Sequence, residues 1–209
     1  QRCRDCVSKQ MAEFKDSNAF DIKAREVTAR QLKTAGYQYL SITYVYTIKP
    51  DGTFKIRFCA GGHRIVAADQ TFSSTVTTDV ITLLRVHAAN NGMQERSGDI
   101  RNAYMLAEAI EKTYIRCGPE FGDDEGCLAT VEKALYGLPG SGHAYAQHIA
   151  EIMRTLGFTA AIADSNVWMR LDSDGKLYTY VTFYVDDYTI FSRNPDEVKA
   201  EFNNEFVSK

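Results

Sequence analysis

The chain has 209 residues, 44% of them hydrophobic and 24% charged, with a formal net charge of −3. A chain of that length buries roughly 70–75% of the surface its unfolded form exposes, and this composition excludes a disordered tail, a collagen-like repeat and a small disulfide scaffold. No apolar run approaches the roughly 18 residues that span a bilayer, and the mildly acidic balance argues against strong nonspecific affinity for nucleic acid.

The chain opens at Gln1 with Arg2, Arg4 and Asp5 and without a signal-peptide-like apolar segment, so a piece of something longer is expected. Residues 1–19 read as a loose leader, polar and aperiodic. A helical stretch is expected from about Phe20 to Ala35, closed by Gly36. Tyr39 to Ile48 is rich in β-branched and aromatic residues, Pro50-Asp51-Gly52 supplies turn chemistry, and Thr53 to Phe58 alternates. Together these spell a β-hairpin with Phe54, Ile56 and Phe58 on one face and Thr53, Lys55 and Arg57 on the other. From Thr78 to Ala89 apolar residues fall at helical spacing, with His87 on the same face as a core histidine whose nitrogens are satisfied. A short strand follows near Gln94–Ile100 and ends at Asp99. After an irregular, Gly-rich region comes Gly137 to Gly142, then a helix bearing Tyr145, Ile149, Ile152 and Leu156 and closed by Gly157.

The last third is the most telling. Leu177 to Val185 is an apolar, aromatic run, Asp186 and Asp187 interrupt it, and Tyr188 to Phe191 resumes it. That pattern predicts a tight hairpin tipped by two carboxylates. Asn194-Pro195-Asp196-Glu197 then starts a helix with Val198, Phe202 and Phe206 in one stripe, expected to lie exposed if their partners are elsewhere. The β-α-β-β-α order is an α+β layout of split βαβ type, lacking its last strand. The five cysteines include one C-x-x-C (Cys3, Cys6) and no second pair, so they read as reduced intracellular thiols rather than a zinc site.

Two readings of Asp186 and Asp187 stand side by side. Aspartate is ordinary in turns. Alternatively, hard divalent cations take carboxylate oxygens, one or two carboxylates plus substrate phosphates suffice, and Asp99 on a neighbouring strand would be a third acid. Lys55 and Arg57 divide likewise between a solvated hairpin face and a grip on phosphate. Gly137 to Gly142 divides between a plain turn and a phosphate-facing loop of backbone N–H groups.

Tyr184-Val185-Asp186-Asp187 resembles the Y-x-D-D box of reverse transcriptases. Four further stretches are similar to the copia-type polymerases of LTR retrotransposons: Tyr44 to Gly52 to W-V-F-K-I-K-x-D-G, Lys55 to Gly62 to K-A-R-L-V-A-x-G, Asp99 to Tyr104 to D-V-x-x-A-F, and Lys133 to Leu138 to K-A-L-Y-G-L. The boxes occur in family order. The resemblance implies an RNA-directed DNA polymerase with an antiparallel RRM-like palm sheet, helices packed on one of its faces. Fingers would comprise residues 20–75 and 107–144, and the palm 76–106 and 145–209, with the family's thumb and RNase H expected to be absent from this stretch. It implies two Mg²⁺ ions, with Mn²⁺ as a substitute, held by Asp99, Asp186 and Asp187 (the last the least essential) and by the backbone carbonyl of Ile100. Lys55, Arg57 and Gly140 would touch the incoming dNTP, and Tyr104 would act as the steric gate against a ribose 2′-OH. Tyr184 and Ser141 would contact nucleic acid. The implied partners are an RNA or DNA template with its primer, and the implied setting is intracellular, in a cytoplasmic virus-like particle or the nucleus. Two departures stand out: the family's glutamine is replaced by Gly140, and the tryptophan of the first box by Tyr44. Two other functions fit the residues: a catalytically silent remnant that binds RNA on its tyrosine-rich sheet, and a different two-metal phosphotransferase such as a nucleotide cyclase.

Overall fold

The computed structural model describes residues 2–207. Along the chain run α1 (Arg2–Asp16), β1 (Phe20–Ile22), α2 (Ala29–Thr34), β2 (Gln38–Tyr39), β3 (Ile42–Ile48), β4 (Phe54–Ala60), α3 (Thr78–Asn90) and β5 (Gln94–Asp99). They are followed by β6 (Thr113–Arg116), β7 (Leu128–Val131), α4 (Ser141–Thr155), β8 (Thr159–Ala160), β9 (Val167–Leu171), β10 (Tyr178–Tyr184), β11 (Asp187–Ser192) and α5 (Pro195–Val207). Short 3₁₀ turns lie between them. Two compact units result: the chain up to Phe72 with Tyr104–Tyr145, and Ser73–Ala103 with the chain from Ala146 onward.

The first unit holds a four-stranded sheet in the order β1-β7-β6-β2 and the separate hairpin β3–β4. Its core gathers Leu40, Ile56, Phe58, Ile115, Val131 and Leu135. The alternation of β4 is as expected: Ile56 and Phe58 are buried, Lys55 is exposed and Arg57 half-buried. Two expectations fail here. Of the expected loose leader, Arg2–Asp16 form α1, whose Phe14 is only 5% exposed and packs edge-on against Phe20 and Phe58. Val7, Met11 and Phe14 are spaced i, i+4, i+7, a thin apolar stripe in a polar segment, and all three join the core. The helix expected from Phe20 shrinks to α2. Phe20 to Ile22 pairs instead with Val131 to Ala129 as an antiparallel strand, and the helix begins only where Thr28 and Gln31 form a capping box.

The second unit is built on an antiparallel sheet in the order β5-β11-β10-β9-β8. Side chains alternate across it, so residues opposite one another share a face. Phe183, Tyr188 and Trp168 lie on one face, where Phe202 of α5 meets Tyr188 at 5.3 Å and Arg154 of α4 stands over the Trp168 ring. Phe202 is 1% exposed and Phe206 rests against it, so the expected exposed stripe is in fact packed. Arg170, on that face too, donates to the Leu156 carbonyl and pairs with Glu201, fastening both helices.

The helices are not confined to one face. Leu84 and Ala88 of α3 pack with Phe191 and Val167 on the other side, and Arg85 forks onto Glu95 there. That face carries apolar side chains at one end, and α3 buries them; the other end, at Asp99 and Asp187, stays exposed. His87 is also unlike the expectation. Its ring meets Tyr180 edge-on, but its buried Nε2 has no hydrogen-bond partner among the described residues.

Candidate active site

The β10–β11 hairpin turns through Val185 and Asp186 rather than through the two aspartates, because Tyr184 pairs with Asp187 and makes Asp187 the first residue of β11. Val185 carries the turn in the left-handed region, at φ +56°. A β-branched side chain there is strained by about 1–3 kcal/mol, and such strain concentrates where geometry matters for function.

On its other edge Asp187 pairs with Asp99 of β5. Tyr184, Asp187 and Asp99 therefore occupy one rung across three adjacent strands and share a face. The Ile100 N–H extends the pairing past Asp99 by donating to the Asp186 carbonyl at 2.7 Å. Asp99, which lies 87 and 88 positions before Asp186 and Asp187, is thus brought beside them by the pairing of β5 with β11 and its extension at Ile100. Asp99 and Asp187 are exposed, Asp186 is half-buried and Ile100 is buried. Among the described residues no three His, Cys, Asp or Glu side chains converge as a metal cage. The donor set, exposed carboxylates on one rung, still fits a hard cation that keeps several waters and needs few protein oxygens.

Beneath this rung lies a specific packing arrangement. Gly98 faces Tyr188 across the strands, and a Cβ on Gly98 would sit 2.4 Å from the Tyr188 hydroxyl. Only a glycine leaves room for that ring. Burial, and then the negative charge of Asp99, push the Tyr188 phenol above its usual range, so it stays protonated beside the acids. On the acid face, one rung further along, Ser97 Oγ and Thr189 Oγ1 lie 3.4 Å apart.

The other expected site residues belong to the first unit. Lys55 and Arg57 project from the same face of β4, opposite Thr47 and Val45. The Arg57 guanidinium stands 5.9 Å from the centre of the Tyr136 ring, and Tyr136 meets Tyr104 edge-on at 4.8 Å. Gly140 and Ser141 are committed inward. The Gly140 N–H donates to Glu111 Oε1 at 2.6 Å, and the buried Ser141 hydroxyl donates to the Leu135 carbonyl at 2.7 Å. Both groups, so bonded, hold the start of α4. Glu111 is only 5% exposed, its Oε2 buried without a partner among the described residues, and a carboxylate at a helix start is favoured by the helix dipole. Nothing in the sequence around Glu111 distinguishes it from a surface glutamate. Tyr136 belongs to the box from Lys133 to Leu138, but that match does not say that its ring meets Tyr104 and Arg57.

A sheet that brings paired acids to a hairpin tip agrees with what the chain resembles. Residues 32–209 match the family of reverse transcriptases (RNA-dependent DNA polymerases), and the chain belongs to that family. Its relatives are of the Ty1/copia retrotransposon type. It is 26% identical over 137 residues to the retrovirus-related Pol polyprotein from transposon RE1 of Arabidopsis thaliana, covering 65% of this chain and 9% of the relative. It is also 26% identical over 178 residues to the transposon Ty1-BL Gag-Pol polyprotein of Saccharomyces cerevisiae, covering 79% of this chain and 10% of that relative. The chain therefore spans about a tenth of the length of the curated relatives it matches.

Proposed function

We propose that the chain is the fingers and palm of a reverse transcriptase and that it extends a primer on an RNA or DNA template, using dNTPs. The register that sets Asp99 against Asp187, with Asp186 in the adjoining turn, carries this reading. The second unit would be the palm, its antiparallel sheet being of the split βαβ, RRM-like type, and the first unit would be the fingers. Asp99 and Asp186, with the Ile100 carbonyl and Asp187, would hold two Mg²⁺ ions. Bound there, the ions would neutralise charge on the attacking and leaving oxygens of an in-line displacement at the α-phosphate.

The chain's own residues would do the rest. Val185 sets the aim of Asp186, and Tyr184, exposed beside Asp187 on the same face, would meet the primer–template. Lys55 and Arg57 would grip the triphosphate by charge-assisted hydrogen bonds, and Tyr104 would stand where a ribose 2′-OH would project. No helix of the described residues is long and apolar enough to cross a membrane, and an intracellular, particle-bound or nuclear setting accords with relatives that are retrotransposon polyproteins.

Primer extension on an RNA template with Mg²⁺ tests the proposal. Asp186→Asn is expected to lower extension by about a hundred- to a thousandfold, in the range that loss of an electrostatic stabiliser costs, while its unfolding curve stays close to that of the parent. Equal rates in the two proteins would sink the assignment.

A further inference from the structure

We infer that Tyr136 is a positioning residue that fixes the Tyr104 ring and thereby sets the sugar selectivity of the nucleotide site. This rests on the gate role proposed for Tyr104. Four side chains of the first unit stand in series. The Arg57 guanidinium lies over Tyr136, Tyr136 meets Tyr104 at 4.8 Å and 74°, and Tyr104 meets Tyr145 at 5.8 Å and 88°. Tyr145 is 4% exposed and Tyr136 is 39% exposed, so Tyr104 is held between an inner and an outer ring.

The backbone of Tyr136 is anchored as well. Its carbonyl accepts from the Ala60 N–H at 2.6 Å, which adds Tyr136 to the end of β4, the strand that bears Arg57. Just upstream, Ala134 N–H donates to the Ala107 carbonyl and Ala109 N–H to the Glu132 carbonyl, tying this segment to the stretch that follows Tyr104. The outer ring is thus fixed to the stretch of chain that directly follows Tyr104.

A steric gate discriminates only if its ring holds still, because a ribose differs from a deoxyribose by one oxygen. Edge-to-face contacts on both sides resist rotation of the Tyr104 side chain, and each such pair contributes modestly but directionally. Removing the outer ring leaves the buried Tyr145 contact and opens a path for Tyr104 to swing aside. Tyr136 need not touch the nucleotide to act in this way.

Single-nucleotide extension by the full chain, with a dNTP and the matching rNTP, tests this in Tyr136→Ala, Tyr136→Phe and Tyr104→Ala. Tyr136→Ala is expected to lower the dNTP-to-rNTP ratio of kcat/KM by roughly two- to tenfold, the equivalent of one aromatic pair. The change should come from a higher value for the rNTP with the dNTP value nearly unmoved, whereas general loosening would lower both. Tyr136→Phe keeps the ring and should restore the parent ratio. The Tyr104→Ala/Tyr136→Ala double variant should match Tyr104→Ala alone. An unchanged ratio in Tyr136→Ala, while Tyr104→Ala shifts it, overturns the inference and leaves the gate intact. If Tyr104→Ala itself leaves the ratio unmoved, the gate reading fails first and the role of Tyr136 goes with it.

Discussion

In the β3–β4 hairpin the chain reverses through Pro50-Asp51-Gly52, where the left-handed residue is Gly52 at φ +79° and the Asp51 carboxylate accepts from the Thr53 N–H at 2.8 Å. In the β10–β11 hairpin it reverses through Val185-Asp186, and the left-handed residue is a valine at φ +56°. The first turn has the residues its backbone geometry asks for. The second places a β-branched side chain where glycine would sit without strain, and it does so next to the acid read here as the principal metal ligand. Relaxed turn chemistry marks the hairpin whose tip only connects strands; under the proposed function, the strained residue marks the one whose tip aims a metal ligand.

Val185→Gly attacks that contrast most directly. Strain of about 1–3 kcal/mol is relieved, less the backbone entropy glycine loses on folding, so the variant should gain roughly 1 kcal/mol in urea denaturation. Primer extension should nevertheless fall about tenfold, because a turn free to sample other conformations no longer presets Asp186. A more stable protein with undiminished extension would mean that the strain has no part in the chemistry. Gly52→Ala is the mirror experiment and has a smaller effect. A Cβ at Gly52 would meet nothing within 4 Å, so the cost is conformational alone, about 1–2 kcal/mol. Extension per folded molecule should stay at the parent level. A loss of activity beyond the fraction unfolded would erase the distinction between the two tips.

The same contrast explains what could be read from the residues beforehand. Pro50-Asp51-Gly52 announced its turn because its chemistry is local, and the alternation of Phe54, Ile56 and Phe58 announced the buried face of β4. Asp186 was placed at a tip from composition, yet the turn was shifted by one residue, since no local rule seats a valine at positive φ. Cross-strand register made Asp99 and Asp187 neighbours, and a strand's partner is a long-range matter that the pattern of Gln94 to Asp99 alone does not state. Phe20 to Ile22 failed for that reason: its pairing with Val131 to Ala129 overrode a local helical pattern. Glu111 is illegible because its partner, the Gly140 N–H, lies far along the chain; Tyr136 stands in a box the sequence shows, but the rings it meets do not follow from that box.

The faintest expected effect lies in the relaxed turn. The Thr53 N–H bonded to Asp51 holds that carboxyl below its ordinary value of 3.8. Because the folded pKa is the lower one, the turn's contribution is present above 3.8 and disappears as the pH falls through the depressed value. Asp51 is fully exposed, so the loss should register as faster exchange of the Thr53 amide at acid pH rather than as a shift in global unfolding. Asp51→Asn keeps an acceptor oxygen but cannot ionise, and its Thr53 amide should exchange without that acid step. Persistence of the step in the variant would assign the protection to something other than Asp51, and the first hairpin would then lose its standing as the turn explained by its own residues.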